Sequence, residues 1–234
     1  MDNEAKRQLD RTEERIRFFE EIGAEFLFRP GTPADAAGET AAPPAFFPAG
    51  EGGGLEDLNA EVLACRKCAL SGTRTRAVPG EGNPAARLMF VGEAPGAEED
   101  LQGRPFVGRA GRLLDRIIVA MGFERRDVYI ANILKCRPPQ NRDPLPEEVR
   151  ACSPYLLRQV DKIRPAVIVA LGKPAANFFS GRDAAITVLR GRFFEFNGIQ
   201  VMATYHPAFL LRNEHFKKDV WLDMKQVMAF LGAR

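Results

Sequence analysis

Short apolar runs alternate with amphipathic stretches along the chain from about residue 55 onward. A continuous apolar run bounded by turn residues is typical of a buried strand, whereas apolar residues three or four apart are typical of a helix with one buried face. The apolar runs lie in ARLMFVGE (86–93), DVYIAN (127–132), AVIVALG (166–172) and FFEFNGIQVMATYHP (193–207). These runs predict strands, and Asn197-Gly198 predicts a tight hairpin turn within the last one.

Helical patterns occupy the segments between these strands, namely LEDLNAEVLA (55–64), GRLLDRIIVAMG (111–122), LPEEVRACSPYLLRQVDKIRP (145–165), KPAANFFSG (173–181) and a terminal helix over 214–231. Strands and helices that alternate over short connections favour a mostly parallel sheet with helices on both faces. Ligands usually bind at the carboxyl ends of such strands. Glu93, Asn132 and His206 each follow a predicted strand, so we expect them near one site.

The first 54 residues differ in character from the rest of the chain. A short helix is plausible within residues 3–22, and the stretch from Arg29 to Gly54 is dominated by Pro, Gly and Ala without a periodic apolar pattern. Such a composition is typical of a linker. The sequence therefore predicts an N-terminal extension over 1–54 and one functional domain over 55–234.

Composition narrows the class of protein only modestly. The chain has 33 Lys+Arg against 31 Asp+Glu, a formal charge of +2, which does not by itself indicate nucleic acid. The segments 104–126 and 182–192 are nevertheless predominantly basic. No apolar run reaches the roughly 18 residues of a membrane span, and the N-terminus is charged, so we expect a cytoplasmic protein that does not contact membranes. We also expect a monomer.

Four cysteines occur as a C-x2-C pair, Cys65 and Cys68, followed by Cys136 and Cys152. Because disulfides are rare in the cytoplasm, this set points to metal chemistry. Four thiolates suit either a structural zinc ion or an iron-sulfur cluster, and unconnected thiols are the alternative. The 67 residues between Cys68 and Cys136 argue against a compact zinc ribbon and favour a long-range structural link.

Three motifs follow one another along the chain: GEAPGAEEDLQGRPFVGRAGRLL (92–114), the spacing of the four cysteines, and HPAFLLRN (206–213). Together they resemble the family 4 uracil-DNA glycosylases, the iron-sulfur branch of the uracil-DNA glycosylase superfamily. The resemblance covers residues 55–234. It implies an α/β protein of three α/β/α layers around a four-stranded, mostly parallel sheet. It also implies a structural [4Fe-4S] cluster on the four cysteines, and excision of uracil from single- or double-stranded DNA to leave an abasic site.

The resemblance assigns roles to residues of the three strand-end loops. His206 would stabilise charge on uracil O2, Asn132 would pair with O4 and N3–H, and Phe106 would stack on the flipped base. Glu93 would position water or offset positive charge on the sugar. Backbone close to the base would come from Gly92, Ala94 and Gly96.

The apolar residues that follow His206 are assigned to DNA. Leu210 and Leu211, with Phe209, would enter the duplex beside the flipped nucleotide, and Arg212 would contact phosphate. The alternative for the three apolar residues is ordinary core packing. Two other functions also remain open: a non-catalytic metal module that binds nucleic acid, and an enzyme of this fold acting on hypoxanthine or xanthine.

Overall fold

A computed structural model describes residue 13 and residues 54–232 of the chain. Of the predicted N-terminal helix and linker, only Glu13, in helical conformation, and Gly54, the last linker residue, are described; the rest of both lies outside the described residues. The boundary between extension and domain therefore stays a prediction.

Six strands form one sheet in the order β1-β3-β2-β4-β6-β5. The four inner strands β3, β2, β4 and β6 are mutually parallel, which confirms the predicted parallel core. The sheet has two more strands than the four that the resemblance implies, because β1 and β5 add antiparallel edges. Strand β5 is the first arm of the predicted hairpin, whereas β1 was not predicted. The strands are β1 (Glu81–Gly82), β2 (Leu88–Gly92), β3 (Tyr129–Asn132), β4 (Val167–Leu171), β5 (Phe193–Phe196) and β6 (Ile199–Thr204).

The α-helices of residues 54–232 are α1 (Leu55–Ala64), α2 (Ala97–Gln102), α3 (Arg109–Ala120), α4 (Pro146–Ile163), α5 (Lys173–Ser180), α6 (Ile186–Leu189), α7 (Pro207–Leu210) and α8 (Lys217–Leu231). Single 3-10 turns cover Ala69–Gly72, Pro139–Asn141 and Glu214–Phe216. Every predicted helix of this region is present. The short helices α2, α6 and α7 were not predicted, because four to six residues are too few to show an apolar period.

Side chains of the inner strands enter two separate apolar clusters, as strand alternation requires. Val91 and Ala131 pack with residues of α1, α4 and α5, whereas Phe90 and Ile130 pack with residues of α3 and α8. The helices therefore cover both faces of the sheet and confirm the three-layer architecture. No helix within the described part of the chain combines the length and apolarity needed to cross a membrane.

Candidate active site

Three loops meet where the parallel strands β2, β3 and β6 end. A Cβ atom on Gly92 would stand 2.4 Å from Asn132 Oδ1 and 2.7 Å from Phe106 Cζ. The rings of Phe106 and His206 are 5.5 Å apart at an interplanar angle of 31°. The structure therefore brings Asn132, Phe106 and His206 together around the end of β2, as the sequence predicted for the strand ends.

His206 ends the segment after β6 and caps the N-terminus of α7. Its Nδ1 atom accepts a hydrogen bond of 3.1 Å from the backbone N–H of Ala208, which assigns the ring proton to Nε2. Burial lowers the pKa of His206 to about 4. The charge of Glu99 opposes this shift, and the charge of Arg212 adds to it. The imidazole is therefore neutral at physiological pH and has one N–H to donate.

Asn132 is the last residue of β3 and is 2% exposed. Its Oδ1 atom is buried and has no hydrogen-bond partner within the described residues. Its backbone carbonyl accepts a hydrogen bond of 2.8 Å from Lys135 Nζ, which also donates to Gln159 Oε1 at 2.6 Å. Because an unsatisfied buried acceptor is costly, a firmly anchored and unpaired amide oxygen is suited to a ligand N–H.

Phe106 is 5% exposed and has a positive φ of 49°, a strained conformation for a bulky residue. The carbonyl of Phe106 accepts a hydrogen bond of 3.2 Å from Arg125 Nη1. A Cβ atom on Gly111 would lie 1.9 Å from the same carbonyl oxygen, so the third residue of helix α3 must be glycine at this contact. Tertiary contacts thus hold the aromatic ring in place before any ligand binds.

Glu99 is a site residue that the sequence analysis missed. Its Oε1 atom accepts hydrogen bonds from the backbone N–H groups of Val107 at 2.8 Å and Gly108 at 3.0 Å, and its Oε2 atom accepts one from Gly96 at 3.1 Å. One carboxylate therefore joins the turn before α2 to the loop that carries Phe106. An acidic residue three positions after a glycine suggests a helix N-terminus, but the contacts across the loop have no sequence signature.

The remaining residues of the β2 loop differ in their placement. Glu93 is partly exposed, and burial raises the pKa of its carboxyl, to which the charge of Asp143 adds. The Glu93 carbonyl accepts a hydrogen bond of 2.9 Å from the Leu134 N–H, which ties the β2 and β3 loops together. A Cβ atom on Gly96 would lie 2.8 Å from Glu99 Oε2, so this glycine serves the α2 cap. Ala94 is half-buried against the cluster that contains the cysteines.

The segment after His206 differs from its prediction at Leu210. Residues 207–210 form α7, and Leu210 is 1% exposed within the core. Leu210 therefore serves the fold, contrary to the prediction that it enters the duplex, because the turn of α7 directs this side chain to the packed face. Phe209 stacks on Tyr205 with ring centroids 5.1 Å apart, while Leu211 is half-buried and Arg212 is exposed.

All four cysteines are free and pack in the same region of the core. Cys136 and Cys152 are buried, and Cys65 and Cys68 pack against the same cluster. Arg74 Nη1 donates to Cys136 Sγ at 2.9 Å, and the backbone N–H of Lys135 donates to Cys152 Sγ at 3.1 Å. Hydrogen-bond donors therefore face two of the sulfur atoms, as expected around thiolates.

The chemistry of this cysteine region fits a thiolate-bound metal centre. Burial raises the pKa of the Cys152 thiol to about 11 and also raises that of Cys136, and both values are raised further by neighbouring cysteines. Such thiols become thiolates when a bound cation displaces the proton. Among the described residues, no three His, Cys, Asp or Glu side chains are grouped as a single metal ion requires.

Comparison with known proteins agrees with this geometry. The sequence profile of the Uracil DNA glycosylase superfamily matches residues 79–225. The type-4 uracil-DNA glycosylase of Archaeoglobus fulgidus is 46% identical over 188 residues, which cover 77% of this chain and 94% of that protein. The type-4 enzyme of Thermotoga maritima is also 46% identical, over 76% of this chain and 94% of its own length.

A type-5 uracil-DNA glycosylase of Thermus thermophilus is less similar, at 33% identity over 63% of this chain and 77% of that protein. The superfamily profile spans more than half of the chain, and the type-4 relatives are both more similar and more fully aligned than the type-5 protein. The chain therefore belongs to the type-4 uracil-DNA glycosylases, within the uracil-DNA glycosylase superfamily.

Proposed function

We propose that this protein flips uracil out of DNA and hydrolyses its N-glycosidic bond, leaving an abasic site. The observation that carries the proposal is the neutral His206, which keeps its proton on Nε2 and lies beside Phe106. The Phe106 ring in turn shares the end of β2 with the buried Oδ1 of Asn132, which has no partner among the described residues. An anion-stabilising donor, an aromatic surface and a free amide acceptor are what a leaving pyrimidine requires.

Asn132 would recognise the base. Its Oδ1 atom can accept the N3–H of uracil, and its amide nitrogen can donate to O4. Cytosine presents an unprotonated N3 and an amino group at C4, so the same amide would face a mismatch at both positions. Phe106 would stack on the base and, with Gly92, limit the space around it.

His206 would stabilise the departing base. As the bond between C1′ and N1 breaks, negative charge develops on the uracil oxygens, and the Nε2–H would donate to O2. A neutral donor is suited to this role because the pKa of the imidazole lies far below physiological pH. Uracil leaves with the electron pair of the C1′–N1 bond as an anion, and water then adds to the cationic C1′. The proton released by that water neutralises the uracil anion, so the products are the abasic site and neutral uracil.

Glu93 would act on the sugar side of the reaction. Its carboxyl is partly buried at the end of β2, beside Gly92. As a carboxylate it would offset the positive charge on the sugar and orient the attacking water. The exposed Arg212 would contact a phosphate, and the half-buried Leu211 would lie next to the opened stack.

We propose a structural [4Fe-4S] cluster held by Cys65, Cys68, Cys136 and Cys152. The bound cluster would cross-link the chain segments at α1, the β3 loop and α4, and it would take no part in base excision. Iron and acid-labile sulfide in the purified protein, with a brown colour lost in Cys136→Ser, are the expected results. A colourless protein that contains stoichiometric zinc would instead show that the four cysteines bind zinc and not a cluster.

The decisive assay uses oligonucleotides that contain one uracil, with cytosine and thymine versions as specificity controls and alkali to cleave abasic sites. We expect cleavage at uracil in single- and double-stranded DNA, and loss of about 10²- to 10³-fold in His206→Ala. The matched control is His215→Ala, because His215 is the chain's other histidine and is exposed. Binding without base release would instead favour a non-catalytic module.

Three further proposals concern the range of bases, the domain that excises them, and the state of the protein in the cell. A panel of hypoxanthine and xanthine oligonucleotides would reveal activity on other deaminated bases. We assign excision to residues 55–234, so deletion of residues 1–54 should preserve it. We also propose that the protein acts as a monomer in the cytoplasm, where the four cysteines would stay reduced and able to hold the cluster.

A further inference from the structure

Strand β5 forms an open edge of the sheet on the far side of β6. Asn197 and Gly198 have φ values of 50° and 79°, which identify a two-residue turn with the twist of a β-hairpin. The closing pair of this turn is Phe196 with Ile199. In such a turn the two closing residues exchange backbone hydrogen bonds with each other. This fixes which residues of β5 direct their N–H and C=O groups towards β6, because every second residue does so.

The alternation directs backbone groups of β5 away from the sheet. Phe196 and Phe194 bond to β6, so the N–H and C=O groups of Glu195 and Phe193 point outward. No strand or loop within residues 54–232 pairs with this edge. The opposite edge strand, β1, is only two residues long, so β5 is the longer open edge of the sheet.

A groove of about 440 Å³ lies along this edge, lined by Ser180, Arg182, Leu189, Arg192, Phe193, Phe194 and Glu195. Arg182 and Arg192 are exposed, and no carboxylate of the described residues pairs with either guanidinium. Nearby Arg190, in contrast, is paired with Asp223 at 2.8 Å. The groove therefore carries two guanidinium groups without an ion-pair partner among the described residues, against the single carboxylate of Glu195, so its formal charge is positive.

Apolar side chains lie near the same edge. Val188, on α6, is 56% exposed, and its carbonyl lies 3.4 Å from Arg192 Nη2. Phe230 is 48% exposed, and its ring is 5.3 Å from that of Phe193. Backbone donors and acceptors, unpaired positive charge and exposed apolar surface thus coincide at β5.

We propose that the β5 edge binds an extended, acidic peptide segment of a partner protein, which adds a seventh strand to the sheet. A peptide strand supplies both donors and acceptors for the outward groups of Phe193 and Glu195, whereas DNA phosphates supply acceptors only. A second copy of the chain is disfavoured, because two-fold pairing of this edge would bring the unpaired arginines of both copies together.

The test measures binding of fluorescein-labelled peptides of about nine residues that alternate glutamate with valine, leucine or phenylalanine. Versions with lysine in place of glutamate are the control for charge. Glu195→Pro removes an outward N–H without breaking a bond to β6, as proline permits at a sheet edge. Glu195→Ala is the matched variant that keeps the N–H, so we expect Glu195→Pro to bind at least about tenfold more weakly than Glu195→Ala.

A second pair of variants tests the charge. The double variant Arg182→Glu, Arg192→Glu should lose binding of the acidic peptide, whereas Arg150→Glu, at an exposed arginine on α4, should keep it. Hydrogen exchange at the Glu195 amide in the unmodified protein should slow with the acidic peptide and not with the lysine version.

The proposal is overturned if no acidic peptide binds saturably, or if Glu195→Pro binds as well as Glu195→Ala. The arginines would then serve only to keep the edge from pairing with other chains. Dimerisation through β5, detected by sedimentation and lost in Glu195→Pro, would also overturn it in favour of a second copy. The result is independent of uracil excision, which we expect Glu195→Pro to retain.

Discussion

The Oδ1 atom of Asn132 lies 2.4 Å from where a Cβ atom on Gly92 would stand. A Cβ atom at that position would clash with the amide, so the placement of the Asn132 side chain requires that the last residue of β2 has no side chain. Gly92→Ala should displace Asn132 or Phe106 and reduce kcat/KM for uracil excision about 10²-fold, with little loss of folding. The assay is steady-state excision, with circular dichroism to verify the fold.

The control for this substitution is Gly72→Ala, because a Cβ atom there would meet nothing within 4 Å. It adds the same methyl group and should leave excision unchanged. If Gly92→Ala were as active as Gly72→Ala, the closeness of β2 to the Asn132 amide would have no part in catalysis.

Asn132→Ala tests whether the unpaired amide oxygen serves the base. We expect kcat/KM for uracil to fall about 10- to 100-fold, because the hydrogen bonds to the base are lost. Asn59→Ala is matched to it, since Asn59 lies on α1 and its buried Oδ1 also has no partner in the part of the chain that the structure describes. Equal effects of the two substitutions on excision would contradict the assigned role.

Glu99→Gln tests the carboxylate that organises the Phe106 loop. A neutral amide presents one oxygen and one NH2 group to three backbone N–H donors, so at least one of these hydrogen bonds is lost. We expect kcat/KM to fall about tenfold and the free energy of unfolding to fall by about 1–3 kcal/mol. Glu98→Gln, at the exposed neighbour, should change neither quantity.

His206 should make folding stability depend on pH in a defined window. Its pKa falls from 6.5 to about 4 on folding, so between these values the unfolded chain binds a proton that the folded chain does not. This stability is fully present above pH 6.5 and is lost as the pH falls towards 4, by about 2.5 kcal/mol near pH 4.5.

The measurement is urea unfolding across this pH range for the wild type and for His206→Asn. The wild type should lose stability relative to His206→Asn as the pH decreases, because asparagine does not titrate. His215→Asn should follow the wild type throughout. A constant difference between wild type and His206→Asn would show that the imidazole is not buried as a neutral group.

The sequence alone determined the sheet and the convergence of the polar strand ends. Apolar runs such as LMFVG and VIVAL report burial on both faces, and parallel strands place their carboxyl ends at one edge. Asn132 and His206 could therefore be assigned to one site before any contact was known. The strand β1 was missed because two residues have no pattern.

Only the tertiary structure decided which side chains serve core packing and loop structure and which remain available to a ligand. Leu210 is part of the core because α7 turns it inward, and a four-residue helix leaves no period from which to predict this. Glu99 holds Val107 and Gly108 through contacts that depend on how the chain folds back. Local patterns encode burial along one element, whereas hydrogen bonds and packing between loops depend on the arrangement of all elements, which is why the sequence could not reveal them.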